Sequence, residues 1–155
     1  MRSSTAAEVE AALRAAGAHA ELRSFAEPVA TAAAAAAALG CELGAIANSL
    51  VFQADGTPLL VLASGAHRVD TARLAQLLGI GKIRRATPDF VLEHTGQRVG
   101  GVAPVGHPRP LRTVIDPALA AFPVVWAGAG DEVSMFATSF EQLLMITGGT
   151  AIPVG

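Results

Sequence analysis

The stretch Ala47-Asn48-Ser49-Leu50-Val51-Phe52-Gln53-Ala54-Asp55-Gly56-Thr57-Pro58-Leu59-Leu60-Val61-Leu62-Ala63 decides how this chain folds. Its first arm, Ala47 to Ala54, carries β-branched and aromatic residues, and its second, Pro58 to Ala63, is an apolar return. Between them stands Asp55-Gly56, a pair that tolerates the left-handed backbone of a two-residue turn, so the whole reads as a β-hairpin.

Upstream, Ala6, Val9, Ala12, Leu13 and Ala16 fall on one face of a helix over residues 5–16. Ala20 to Phe25 is short enough for a strand, and a second helix runs from Thr31 to Leu39, closed by Gly40. Glu42 to Gly44 makes a short helical turn into the hairpin. Downstream, Asp70, Arg73, Leu74, Leu77, Leu78 and Gly79 spell a capped amphipathic helix, with a short strand over Ile83-Arg84-Arg85-Ala86 behind it. Thr87-Pro88-Asp89 opens another helix, which ends at Gly96. The following Gly100-Gly101-Val102-Ala103-Pro104-Val105-Gly106-His107-Pro108 is irregular, because its glycines and prolines deny it both strand pairing and helix continuity. Leu111 to Ile115, Val124 to Ala127 and Ser134 to Ala137 read as strands, and Ser139 to Ile146 as a capped helix. Strands and helices do not alternate strictly, so the expected fold is α/β, a mixed, mainly antiparallel sheet or barrel surrounded by helices. At 155 residues the expectation is one domain over 1–155, large enough to bury a core without disulfides or metals.

Hydrophobic residues make up 52% of the chain, yet charges or turn residues interrupt every window before the roughly 18–20 apolar residues of a membrane helix. The alanine run 30–38, broken only by Thr31, reads instead as a small-residue helix packed close against a sheet. No basic, leucine-rich, small-residue signal opens the sequence, so cytoplasmic residence without a membrane partner is expected. Cys41 stands alone, and His19, His67 and His94 show no ligand spacing, so neither metal nor cofactor is expected.

Net charge is −2, but it is unevenly spread. Residues 68–112 carry eight cations against Asp70, Asp89 and Glu93, net +5, while residues 1–67 are net −3 and residues 113–155 net −4. A basic middle between acidic flanks suits a phosphate-facing patch, for which Arg68, Arg84, Arg85 and Arg98 are the candidates; scattered solvated arginines are the plainer alternative.

Ile46-Ala47-Asn48-Ser49-Leu50-Val51-Phe52 and the glycine-proline stretch near residue 100 together make the chain similar to the YbaK/ProX-type aminoacyl-tRNA deacylases, the editing domains associated with prolyl-tRNA synthetase. Other stations of the resemblance are Glu27-Pro28-Val29, Leu39-Gly40, Lys82 to Thr87, Val124 to Gly130 and Glu141 to Gly149. The resemblance implies hydrolysis of a wrongly attached amino acid from tRNA, in the service of translation fidelity, with the tRNA acceptor end as partner and a synthetase as a further one. It also implies that the loop Gly100-Gly101-Val102-Ala103-Pro104-Val105-Gly106 offers N–H groups to an oxyanion or phosphate, as glycine-rich nests do; a tight turn joining two elements is the plainer alternative. Ala47, Ser64, Gly65, Pro104, Gly106, His107 and Ala129 are the candidate acyl-binding residues, and Asn48, Gly100 and Gly101 the candidate catalytic ones.

The chain departs from the family at Asn48, where the related deacylases carry a lysine directed into the acyl pocket. An asparagine offers two donors and an acceptor but no charge. Lys82, the only lysine, and His107 are the candidates to compensate. Ser49, one residue on, would face away from Asn48 in a strand and is not expected in the same pocket without a bulge; no Ser-His-Asp spacing supports a serine nucleophile, and Asp116 reads as a turn or helix cap. The expected function is a trans-acting deacylase, on tRNA(Pro) bearing a small amino acid. The alternatives are a silent domain that binds tRNA, a synthetase or a small ligand, and a hydrolase of free amino-acid esters.

Overall fold

The computed structural model describes residues 4–18 and 20–155; His19 lies outside the described residues. In chain order the elements are α1 (Ser4–Ala15), β1 (Leu22–Ser24), α2 (Ala32–Leu39), β2 (Ile46–Ala54), β3 (Thr57–Ser64), α3 (Thr71–Leu78), β4 (Ile83–Arg85), α4 (Pro88–Thr95), β5 (Arg112–Ile115), β6 (Val125–Gly128), β7 (Ser134–Thr138), α5 (Phe140–Thr147) and β8 (Thr150–Ala151), with 3₁₀ turns at Leu43–Ala45 and Pro117–Ala121. The strand β8 was not legible in the sequence, because two residues carry no period, whereas the reading of Asp116 as a turn or helix cap holds at the start of the second 3₁₀ turn, where its side chain accepts from Ala118 N.

The hairpin organises the rest. β2 and β3 pair in unbroken antiparallel register from Ala47↔Ser64 to Ala54↔Thr57, and Asp55 (φ +49°) and Gly56 (φ +85°) form the turn with both residues left-handed. Around it one sheet runs in the order β1-β7-β6-β2-β3-β5-β8, with β4 paired to β2 off this path. The pairs β1·β7, β6·β7, β2·β3 and β2·β4 are antiparallel, while β2·β6, β3·β5 and β5·β8 are parallel, so the sheet is mixed with the antiparallel pairs in the majority.

Both faces of the sheet are covered. On one, Ala47, Val51, Leu60, Leu62, Ile115 and Phe136 pack with Val9 and Leu13 of α1, Val91 of α4 and Leu143 of α5. On the other, Phe52, Leu59, Val61 and Val114 pack with Leu74 and Ala75 of α3, and Ile46 and Met135 pack with Ala35 and Ala36 of α2. Cover on both sides explains why Leu59 to Ala63 is a continuous apolar run instead of an alternating one, each of its residues being buried. Each fully buried leucine or phenylalanine contributes about 1.5–3 kcal/mol. The methyl-only surface of α2, capped by Thr31 Oγ1 accepting from Ala34 N, brings that helix close to the start of β2. No helix among the described residues is long and apolar enough to cross a membrane.

Candidate active site

The site begins as a gap in the sheet. Along one edge β2 bonds β3 throughout, but along the other it meets β6 only at Ile46–Ala47 and β4 only at Phe52–Ala54, leaving the middle of the strand without a strand neighbour among the described residues. Gly65 N donates to Ile46 O, so the even-numbered residues of β2 turn their main-chain groups toward β3; Asp55 N donates to Lys82 O on the opposite edge. In an antiparallel ladder these directions alternate, which turns the N–H and C=O of Ser49 into the gap. Side chains alternate across the sheet as well: Asn48 shares the face of Leu50 and Phe52, and Ser49 that of Ala47 and Val51.

Two cavities meet at this gap. The smaller, about 250 Å³, is bounded by Ala30, Thr31, Ala32 and Ala35 at the start of α2, by Ile46 to Leu50, and by Gly100, Asp131 and Ser134. The larger, about 690 Å³, runs along β2 from Asn48 to Phe52 and is bordered by His67, Arg68, Thr71 and Arg85. Asn48, Ser49, Leu50, Val99, Gly100 and Val102 border both. Asn48 therefore stands where an amino-acid-sized cavity opens into a groove with two arginines on its rim. Ser49 borders the same space along the uncovered edge of the strand, while its side chain stays on the face opposite Asn48, as strand alternation requires. Its Oγ is buried and has no hydrogen-bond partner among the described residues.

The glycine-proline stretch divides into two parts. Gly100 (φ +93°) borders the gap, whereas Gly101, a catalytic candidate in the sequence, stands behind it beside Arg98 and is clipped to the turn between β6 and β7 by Gly130 N donating to Gly101 O at 2.9 Å. A Cβ on Gly101 would stand 2.6 Å from the carbonyl carbon of Asp131, so only glycine fits at this approach. Gln97 braces the loop's neck: buried, it accepts from Ala103 N at 2.7 Å and donates from Nε2 to Val105 O at 3.2 Å. Nothing in the sequence marked Gln97, since its partners lie on the irregular segment itself.

Pro104, Gly106 and His107 are carried away from Asn48, to a separate depression between Ala12 of α1 and Ile146 of α5. There His107 Nε2 bonds Ala103 O at 2.8 Å, and burial pushes its imidazole below the ordinary value, an effect the bond to Ala103 only partly offsets. It is a neutral loop brace, in no position to compensate for the missing lysine. Lys82 likewise borders a small depression with Gln53, Asp55 and Arg84 at the hairpin turn, away from Asn48. Of the arginine candidates, Arg68 and Arg85 line the groove; Arg84 faces the hairpin turn, and Arg98 sits with Thr5 and Gly101 behind the loop. Ala47 lines the smaller cavity, whereas Ala129 is fully buried. Ser64 and Gly65 border neither cavity and instead fix the turn after β3: Ser64 Oγ donates to Gly44 O, and a Cβ on Gly65 would meet Leu43 O at 2.5 Å. Cys41 is half-buried, and burial pushes its thiol up, which keeps it from being a ready thiolate nucleophile.

A model of the aminoacyl-tRNA editing domain matches residues 26–146. The uncharacterised protein YwhH of Bacillus subtilis is 32% identical over 124 residues, 79% of this chain and 78% of that one. The proline–tRNA ligase of Geobacter sulfurreducens is 37% identical over 95 residues, which is 60% of this chain but only 16% of the ligase. A crystal structure of a candidate trans-editing enzyme for prolyl tRNA synthetase superposes with a TM-score of 0.91 at 37% identity, over 99% of this chain and 98% of that one. The chain belongs to the aminoacyl-tRNA editing domain family.

Proposed function

We propose that this protein acts in trans to hydrolyse the ester of a mis-acylated tRNA, with tRNA(Pro) carrying a small amino acid as substrate. The observation that carries the reading is the junction at Asn48, where an alanine-walled cavity of about 250 Å³ opens into an arginine-bordered groove of about 690 Å³. The small cavity takes the aminoacyl group, its size limited by Ala30, Ala32, Ala35 and Ala47. The groove takes the terminal nucleotide, with Arg68 and Arg85 toward phosphate. Matches to proline–tRNA ligases and to a candidate trans-editing enzyme support the choice of tRNA and an association with the synthetase. Such a reaction belongs in the cytoplasm, where tRNA is charged.

An aminoacyl ester is already activated, so the chemistry asks for a fixed carbonyl, a donor for the developing oxyanion and a placed water. Ser49 N–H, which strand alternation turns into the gap, is the oxyanion donor, with the main chain at Gly100 on the opposite wall. The Asn48 amide orients the substrate by neutral hydrogen bonds, weaker by about 1 kcal/mol than the charge-assisted bond of a lysine. The loss of that charge favours the second reading, a silent domain that binds tRNA or a synthetase. Single-turnover deacylation of tRNA(Pro) charged with alanine, serine, cysteine or 2-aminobutyrate separates the two. Catalysis predicts cleavage by the wild type and at least a tenfold loss in Asn48→Ala; an inactive wild type with an active Asn48→Lys would select the silent domain.

A further inference from the structure

His67 and Asp116 are 49 positions apart, yet the fold joins them at the margin of the groove that holds Asn48. Asp116 follows β5, and its N–H donates to Leu62 O of β3. His67 ends the tight turn after β3, where its N–H donates to Ser64 O at 2.9 Å. Asp116 Oδ2 accepts from His67 Nδ1 at 2.7 Å and from Ser64 N at 3.0 Å, while Oδ1 accepts from Ala118 N at 2.9 Å. The Asp116 side chain is 1% exposed and that of His67 41%. The carboxylate is thus committed to protein donors, while His67, its side chain half-exposed, borders the groove.

Chemistry fixes the tautomer. An ionised carboxylate only accepts, so Nδ1 carries the proton and the neutral ring leaves Nε2 as an acceptor turned away from Asp116. A base oriented by a buried acid is the arrangement by which an imidazole removes a proton from water. The turn that holds this ring is built by Ser64 and Gly65, which gives those two residues a role without substrate contact.

We infer that His67 is the general base of the proposed ester hydrolysis and Asp116 the residue that positions it, an assignment that rests on the editing reading of the same groove. A water beside the ester gives its proton to His67 Nε2 as its oxygen bonds the carbonyl carbon. The tetrahedral intermediate then collapses, the bond from that carbon to the ribose oxygen breaks, and the imidazolium returns the proton to the departing ribose hydroxyl. Asp116 accepts from Nδ1 throughout. Charged groups around the ring are Asp116 at Nδ1, Arg68 and Arg85 along the groove, Asp70 at the cap of α3, and Arg73, which donates to Gly155 O near the ring.

The test is single-turnover deacylation of alanyl-tRNA(Pro) from pH 5.5 to 8.5 by wild type, His67→Ala and His67→Gln, with filter binding of the same tRNA and thermal unfolding in parallel. His67 is half-exposed, so both variants should fold; Asp116 is avoided because its loss also strands Ser64 N. The expected result is a rate at pH 7.5 reduced about 100-fold or more in both variants. Their tRNA affinity stays within twofold of wild type, the acidic limb of the pH profile disappears, and added imidazole partly restores His67→Ala. Variants that keep the wild-type rate and acidic limb would overturn this inference and leave the editing reading standing. A wild type that cleaves no aminoacyl ester would overturn both.

Discussion

Gly101→Ala is the most direct test of the way the loop is held at the gap. Its backbone is not left-handed, so the substitution introduces no conformational strain and acts by contact alone. The added methyl would lie 2.6 Å from the carbonyl carbon of Asp131, 2.7 Å from its Cα and 2.9 Å from its oxygen. Carbon atoms sit comfortably at about 3.5–4.0 Å, so the two segments must part by about 1 Å. No rotamer change relieves this, since every atom met is backbone. Overpacking of this kind costs about 1–3 kcal/mol, and in a chain of this size each 1 kcal/mol lowers the melting temperature by about 2–4 °C. Moving apart also stretches the bond from Gly130 N to Gly101 O and shifts Gly100 and Val102, which border both cavities. Displacement of 1 Å at a reacting centre lowers a rate by up to about 100-fold, so the single-turnover constant should fall between about tenfold and 100-fold. Gly79→Ala is the matched control: its φ of +68° makes alanine unfavourable by about 1–2 kcal/mol, but the space around it is open and it borders neither cavity, so its rate should not change. A Gly101→Ala protein with wild-type melting temperature and wild-type rate would refute the argument that this close approach shapes the site.

Two more outcomes follow from single groups. Ser49→Ala removes a buried hydroxyl without a partner, so chemical denaturation should find the variant as stable as wild type or more stable by up to about 1 kcal/mol; a destabilised variant would mean that the hydroxyl is satisfied in solution. His107 has its imidazole lowered by burial, so the fold favours its neutral form. The stabilisation is complete above its ordinary value of 6.5 and is lost as pH falls below it toward the lowered native value, with a slope of at most about 1.4 kcal/mol per pH unit. Urea titrations at pH 5 and 7.5 should show a smaller difference for His107→Gln than for wild type; equal differences would remove His107 as the source.

What the sequence by itself determined was whatever a few neighbouring residues decide. Asp55-Gly56 specified the hairpin turn because both positions need left-handed backbone, and the helix ends at Gly40, Gly79 and Gly96 were legible because each adopts positive φ there. Thr31, Asp70, Thr87 and Ser139 cap the helices that follow them through bonds three residues long, again a local matter. Asn48 was visible as the departure from the family pattern because its strand could be placed from the Leu50-Val51-Phe52 run alone. Tertiary structure decided the rest. The gap at Ser49 exists because β6 stops against Ala47 and β4 starts only at Phe52, and both strands come from distant parts of the chain. The glycine-proline stretch is one motif in sequence, yet its first half faces the gap and its second half packs between α1 and α5, a division made by the Gln97 brace and by the turn at Asp131. The His67–Asp116 pair depends on the parallel pairing of β3 with β5, which sets two loop residues side by side at the same end of the sheet. Local backbone preference acts over a few bonds and leaves its mark in the sequence; a contact made by the packing of whole strands does not.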